Sequence, residues 1–165
     1  MNDCLPDTRG HGRRRALLAV LLALTGGGAT AVAPVAEDFT QNTWQQWLKE
    51  MPRPAVVVFS TTYCPTCPAV FTYLAQAVRD ARNAVPLIAV VMDAEGLDPL
   101  RRLKHFGHFD RLFVFRGQEA ALRFSINPQW RGATPYVALF GADQAPRMVV
   151  GKPTADDLQV VLGPR

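Results

Sequence analysis

Cys64 and Cys67 lie two residues apart within "FSTTYCPTCPAVFTYL", where a run of β-formers gives way to a helical pattern. Such a pair can serve as a redox couple, as half of a soft-metal site, or as a structural bridge. A bridge this local closes a tiny loop and removes little unfolded-chain entropy, so it makes a poor staple. A cysteine at a strand-to-helix junction stands where free N–H groups and the helix dipole favour an anion. The spacing predicts Cys64 at the start of the helix and Pro65 in the first helical position, where its missing N–H costs nothing. Cys67 then follows one turn later on the same face. Only a thiolate attacks, and a Cys-x-x-Cys at a helix start lowers the first cysteine's pKa. Cys64 is the expected attacking residue, with Cys67 resolving the mixed disulfide from the less exposed side.

His105 and His108 form a His-x-x-His pair that would complete a two-Cys, two-His zinc set. The two pairs are about 37 residues apart, far beyond zinc-finger spacing, and Arg101, Arg102, Lys104 and Arg111 surround the histidines. Ordinary polar residues on a solvated basic helix account for both histidines. Cu(I) favours thiolates, so copper transfer by the cysteine pair stays open as an alternative. The expectation is a site without a metal and without any cofactor beyond the Cys64–Cys67 disulfide.

Positioning the pair requires a rigid strand before it and a helix after it. "AVVVFS", residues 55–60, is a continuous run suited to a strand buried on both faces. "PAVFTYLAQAVRDARN" follows with Val70, Leu74, Ala77, Val78 and Ala81 on one helical stripe. "VPLIAVVMD", residues 85–93, is another buried-strand run, so strand, helix and strand imply a crossover in a parallel sheet. Upstream, Phe39, Thr43, Trp44, Trp47, Leu48 and Met51 recur at three- and four-residue intervals. They predict an amphipathic helix stopped by Pro52 and Pro54.

Downstream, Leu97, Leu100, Leu103 and Phe106 predict a further helix with Pro99 in its first turn. "RLFVFRG" reads as a short strand or extended turn, and "QEAALRFSIN" as a short helix. Two strand-like runs, 136–140 and 147–150, are joined by a turn containing Gly141, Asp143 and Pro146. A last helix starts at a Thr154 cap with Asp157 three residues on. After the first helix the predicted order is β α β α β α β β α, which defines an α/β domain.

The N-terminus reads as an address. Arg13, Arg14 and Arg15 precede the apolar residues 16–24, and "TGGGATAVAP" offers small residues for cleavage after Ala31. Residues 1–31 are therefore expected to be a signal peptide. An uncleaved anchor is the alternative, weakened by Gly26, Gly27 and Gly28 in the apolar stretch. Either way the domain lies outside the cytoplasm, in a bacterial periplasm or on the outer face of the inner membrane; Sec and twin-arginine routes are both open. Cleavage removes Cys4 and leaves two cysteines. The whole chain carries +4, but Arg9, Arg13, Arg14 and Arg15 against Asp3 and Asp7 belong to the leader, and the remainder carries +2. A nucleic-acid role loses its electrostatic support.

"VVVFSTTYCPTCPAVFTYL" together with "GATPYVALF" resembles the thioredoxin fold. With the export signal, the chain is similar to the TlpA-like and cytochrome c maturation thiol:disulfide oxidoreductases of bacterial envelopes. The resemblance covers residues 38–162 and implies a thioredoxin-like domain, a central mixed sheet flanked by helices. It further implies a cis-proline at Pro135 facing the cysteines and a Thr134 backbone that pairs with a substrate strand. Tyr63, Pro65 and Thr66 around the cysteines, and Trp130 ahead of Pro135, complete the expected substrate-binding set. Core packing is the alternative for Trp130.

Several positions depart from plain thioredoxin. Tyr63 stands where Trp is usual, Val58 where a buried Asp is usual, and Pro68 where a basic residue follows the second cysteine. The implied function is reduction, more than oxidation, of disulfides in envelope proteins such as apocytochrome c or oxidase copper-site assembly factors. It would be carried out by a monomer supplied with electrons by a membrane partner. A copper-delivering metallochaperone and a non-catalytic binding module on the same scaffold are the alternatives.

Overall fold

Runs of β-branched and aromatic residues build the centre of the molecule. A computed structural model describes residues 36–81, 84–95, 100, 104–142 and 145–163; the expected leader, residues 1–31, and the helical positions Leu97, Pro99 and Leu103 lie outside these. In chain order the elements are β1 (Ala36–Phe39), α1 (Gln41–Glu50), β2 (Ala55–Ser60), α2 (Cys67–Arg79), β3 (Leu87–Val91), a 3-10 turn (Lys104–His108), β4 (Arg111–Phe115), α3 (Glu119–Ile126), β5 (Tyr136–Phe140), β6 (Arg147–Val150) and α4 (Ala155–Leu162). The six strands form one mixed sheet in the order β1-β4-β3-β2-β5-β6. β1, β4, β3 and β2 pair in parallel, whereas β5 runs antiparallel to β2 and β6 antiparallel to β5.

Every residue of β2, β3 and β5 is buried, as strands covered on both faces require. Alternation along β2 sends Val56 and Val58 to one face and Ala55, Val57 and Phe59 to the other. The first face is covered by Val70, Phe71 and Leu74 of α2, by Leu158 and Val161 of α4 and by Phe106. The second is covered by Trp44 and Trp47 of α1 and by Leu122 and Ile126 of α3. Each such fully buried side chain contributes on the order of 2 kcal/mol of transfer free energy. Among the described residues, no helix is long and apolar enough to cross a membrane.

The structure departs from the sequence reading in three places. Phe39 ends a strand instead of opening the first helix; its ring packs edge-on to Trp47 at 5.0 Å and stacks on Phe115 at 5.5 Å. A core-facing residue at the end of β1 and the apolar stripe of α1 enter the same core, so helical spacing ran straight through the boundary. The boundary itself is Thr40, whose hydroxyl accepts from Thr43 N–H in a reciprocal capping box. The segment ending at Phe106 closes in a 3-10 turn.

The third departure concerns the active-site helix, which begins at Cys67 and not at Pro65. A helix starting at Pro65 would need an N–H at residue 68 to bond the Cys64 carbonyl, and Pro68 has none. Starting at Cys67 makes Val70 N–H to Thr66 O the first helical bond, 3.3 Å, and leaves Pro68 in the first turn, where its missing N–H is harmless.

Candidate active site

Strand β2 delivers its last residue, Ser60, to the edge of a short loop that carries Cys64. Ser60 pairs with Val91, and its carbonyl accepts from Met92 N–H at 2.9 Å, which holds the strand end rigid. The loop turns back at once: Cys64 N–H donates to Thr61 O at 3.3 Å. Asp93, two residues past β3, clamps it from the side. Its Oδ1 accepts Thr62 N–H at 2.8 Å, and its Oδ2 accepts the Thr62 hydroxyl.

Cys64 and Cys67 are joined as a disulfide, S–S 2.09 Å and Cα–Cα 5.5 Å. Cys64 retains 8% exposure and Cys67 only 1%, the asymmetry needed for an attacking and a shielded sulfur. Cys64 Sγ also lies 3.7 Å from Thr66 Oγ1. Both cysteines belong to the core on the α2 side of the sheet. Because the helix starts at Cys67, Cys64 stands ahead of its first turn and not within it.

Tyr63 is 76% exposed, so its ring is a free apolar surface beside Cys64. Pro65 and Thr66 are exposed with it. The Thr134–Pro135 peptide is cis, as is Arg53–Pro54, which no sequence feature had singled out. Phe59 pairs with Tyr136, so the antiparallel register carries Pro135 to the level of Ser60, at the end of the sheet that holds the cysteines. Pro135 is buried, Thr134 is half-buried, and Gly151 N–H donates to Pro135 O at 2.8 Å. Val150, 62% exposed and paired with Tyr136, adds a second apolar residue at this end.

Trp130 is buried on the opposite side of the sheet from the cysteines. It stacks on Tyr136 at 4.4 Å, and its indole N–H donates to Ala133 O at 2.9 Å. It buttresses the loop before Pro135 from the core, so its placement is that of a packing residue and not of a groove wall. Val58 lies in the cysteine-side core, and no carboxylate occupies its position. The histidine pair does not complete a ligand set. Among the described residues no three His, Cys, Asp or Glu side chains gather as a metal site. His105 instead packs its ring on Phe71 at 5.6 Å, and burial, followed by the nearby His108, holds its pKa below the ordinary imidazole value.

Sequence reasoning passed over Ser60, Thr61, Thr62 and Asp93. An acid directly after a buried parallel strand, next to the strand that precedes Cys64, was the available signal for Asp93.

No family model and no curated protein matches the chain. Among solved structures it is similar to a thioredoxin-related protein from Neisseria meningitidis serogroup B, with 12% identity, 70% of this chain and 87% of that chain covered, and a TM-score of 0.53. The chain has a thioredoxin fold. Two more thioredoxin-like structures are similar at lower scores. A thiol:disulfide interchange protein of Chlorobium tepidum shares 16% identity over 82% of this chain and all of that one, TM-score 0.49. A secreted disulfide oxidoreductase of Mycobacterium tuberculosis shares 20% over 64% and 76%, TM-score 0.46. Within the thioredoxin fold, the pair lies at the junction of the central strand β2 and α2, and the cis-proline that opens β5 lies at the same end of the sheet.

Proposed function

We propose that this chain is a thiol:disulfide oxidoreductase that reduces disulfides of exported proteins. One observation carries the reading: a disulfide between a rim cysteine, Cys64, and a shielded one, Cys67, at the strand-to-helix junction of a thioredoxin fold.

In the reduced protein the Cys64 thiolate, favoured by the N–H groups at the start of α2, attacks a substrate disulfide and releases one substrate thiolate. Cys67 then attacks Cys64 Sγ, the substrate's second sulfur leaves, and the Cys64–Cys67 bond forms. Tyr63, Pro65, Thr66 and the backbone of Thr134 beside Pro135 bind the substrate segment, which adds in extended form at this end of the sheet. The reducing direction is supported by the Pro-Thr dipeptide between the cysteines, which resembles the cytochrome c maturation reductases. The leader-like residues 1–31 support export to a periplasm or to the outer membrane face, with a membrane donor returning electrons to the pair. Apocytochrome c and copper-site assembly factors are the substrate class, and the pair itself is the whole redox equipment of a monomer.

Purified protein is expected to accelerate insulin reduction by dithiothreitol and to equilibrate with glutathione at a potential below about −200 mV. Cys64→Ser is expected to be inactive, and Cys67→Ser to accumulate the mixed disulfide. A wild type no faster than Cys64→Ser defeats the enzyme reading, and a potential near about −120 mV reverses the direction.

A further inference from the structure

The side of the sheet that holds both cysteines contains a buried polar atom without a hydrogen-bond partner. Ser60 is fully buried, and its Oγ makes no hydrogen bond; the same is true of Thr61 Oγ1, so the two hydroxyls do not satisfy each other. Two observations fix the direction of Ser60. Strand alternation aligns it with Val56 and Val58, which belong to the cysteine-side core. Its partner in register, Val91, belongs to that core too, just as the pairs Val58 with Ala89 and Val56 with Leu87 do. A buried hydroxyl with no partner requires an explanation, because nearly all such groups are bonded. On this side the groups whose hydrogen-bonding capacity changes with the state of the protein are the two cysteines, of which Cys67 is the more deeply buried. In the disulfide its sulfur has no proton to give, and in the dithiol it is a thiol.

We propose that Ser60 is the hydrogen-bond partner of Cys67 in the reduced protein. This deepens the oxidoreductase reading and rests on it. In the dithiol, Ser60 Oγ accepts from the Cys67 S–H. As the proton leaves, the same hydroxyl turns and donates to the thiolate. In the resolving step a sulfur electron pair of Cys67 forms the bond to Cys64 Sγ and the bond from Cys64 to the substrate breaks. The substrate sulfur departs with that electron pair and takes up a proton. Two electrons pass from the protein to the substrate disulfide, and Ser60 keeps its own proton throughout. An aliphatic hydroxyl is too weak a base to be the final acceptor, so its effect is to stabilise the reduced pair and the attacking thiolate.

The test is Ser60→Ala in the full chain, with glutathione as the redox probe and denaturant unfolding of the oxidised and reduced forms. Ser60→Ala removes an unpaired group from the oxidised protein and a paired one from the reduced protein. The oxidised variant is therefore expected to be at least as stable as the wild type, and the reduced variant less stable. The equilibrium constant for reduction should fall about fivefold, which is about 20 mV more negative at roughly 30 mV per decade. Resolution of a preformed mixed disulfide should slow by a similar factor. An unchanged or less negative potential, with both forms losing stability equally, overturns the inference and makes Ser60 a packing residue. A wild type that does not exchange with glutathione overturns the oxidoreductase reading and this inference with it. A wild type that exchanges while Ser60→Ala shows no shift overturns this inference alone.

Discussion

Asp93 is expected to set the rigidity of the loop that carries Cys64, and substituting it tests that claim against the redox chemistry. Its carboxylate accepts two hydrogen bonds from one residue, Thr62 N–H at 2.8 Å and the Thr62 hydroxyl. A net charge-assisted bond is worth about 1.5–3 kcal/mol when buried. Asp93 and its bonds are exposed to solvent, so the pair together is discounted to about 1–2 kcal/mol for Asp93→Ala. Asp93→Asn keeps an acceptor for Thr62 N–H, and its amide can donate to the hydroxyl, so it should lose less than half of that.

Thr62 sits between the rigid end of β2 and Cys64, and neither of its two bonds to Asp93 involves a sulfur, so both are expected in either redox state. The stability loss should therefore be equal in the oxidised and reduced forms, leaving the potential within about 10 mV of the wild type. Paired urea titrations of the two redox forms, with glutathione equilibration, read both quantities. If Asp93→Asn were as damaging as Asp93→Ala, the negative charge and not the clamp geometry would be the cause. If the potential moved with Asp93→Ala, the clamp would be specific to one redox state. Either result refutes the reasoning. The contrast with Ser60→Ala, expected to shift the potential, separates loop rigidity from sulfur solvation.

The C-terminal helix offers a pH-dependent readout. Asp157 is held below the ordinary carboxylate range by the Thr154 backbone N–H, then by the Thr154 hydroxyl, with Arg147 adding at 2.6 Å. A lowered folded-state pKa makes its contribution complete above the ordinary carboxylate range and lost as pH falls through the folded value. The stability gap between wild type and Asp157→Asn, followed by thermal melts, should be widest above about pH 5 and close in acid. Thr154→Ala should cost about 1 kcal/mol at neutral pH as the cap is lost. Gly141→Ala would bring a Cβ to 2.7 Å from Val160 Cγ1 and 2.9 Å from the Val160 carbonyl oxygen. Because backbone cannot give way, denaturant titration should show a loss of about 1–3 kcal/mol.

The chemistry and most of the element order were legible from residue types and spacing. Short continuous apolar runs bounded by turn signals suit strands covered on both faces, which pointed to β2, β3 and β5, and Thr154 with Asp157 announced the last helix through its own capping groups. The cysteines were legible because two thiols three positions apart have few uses. Two placements lay beyond local pattern. Phe39 matched the helical stripe, and only the shared aromatic core showed that it belongs to a strand. Trp130 looked available to a substrate until the stack on Tyr136 turned it inward.

The site's surroundings were decided by tertiary structure alone. Sequence proximity could name Cys64 and Cys67, because the helix that presents them is a local element. It could not name Asp93 as a neighbour of the loop, since the pairing of β2 with β3 over a long sequence separation brings it there, and it named Pro135 only through the family resemblance, not through spacing. Nor could it tell that Ser60 turns a hydroxyl into the core. That follows from the register of β2 against β3, where a shift of one residue would have exposed Ser60 to the other face and removed it from the cysteines.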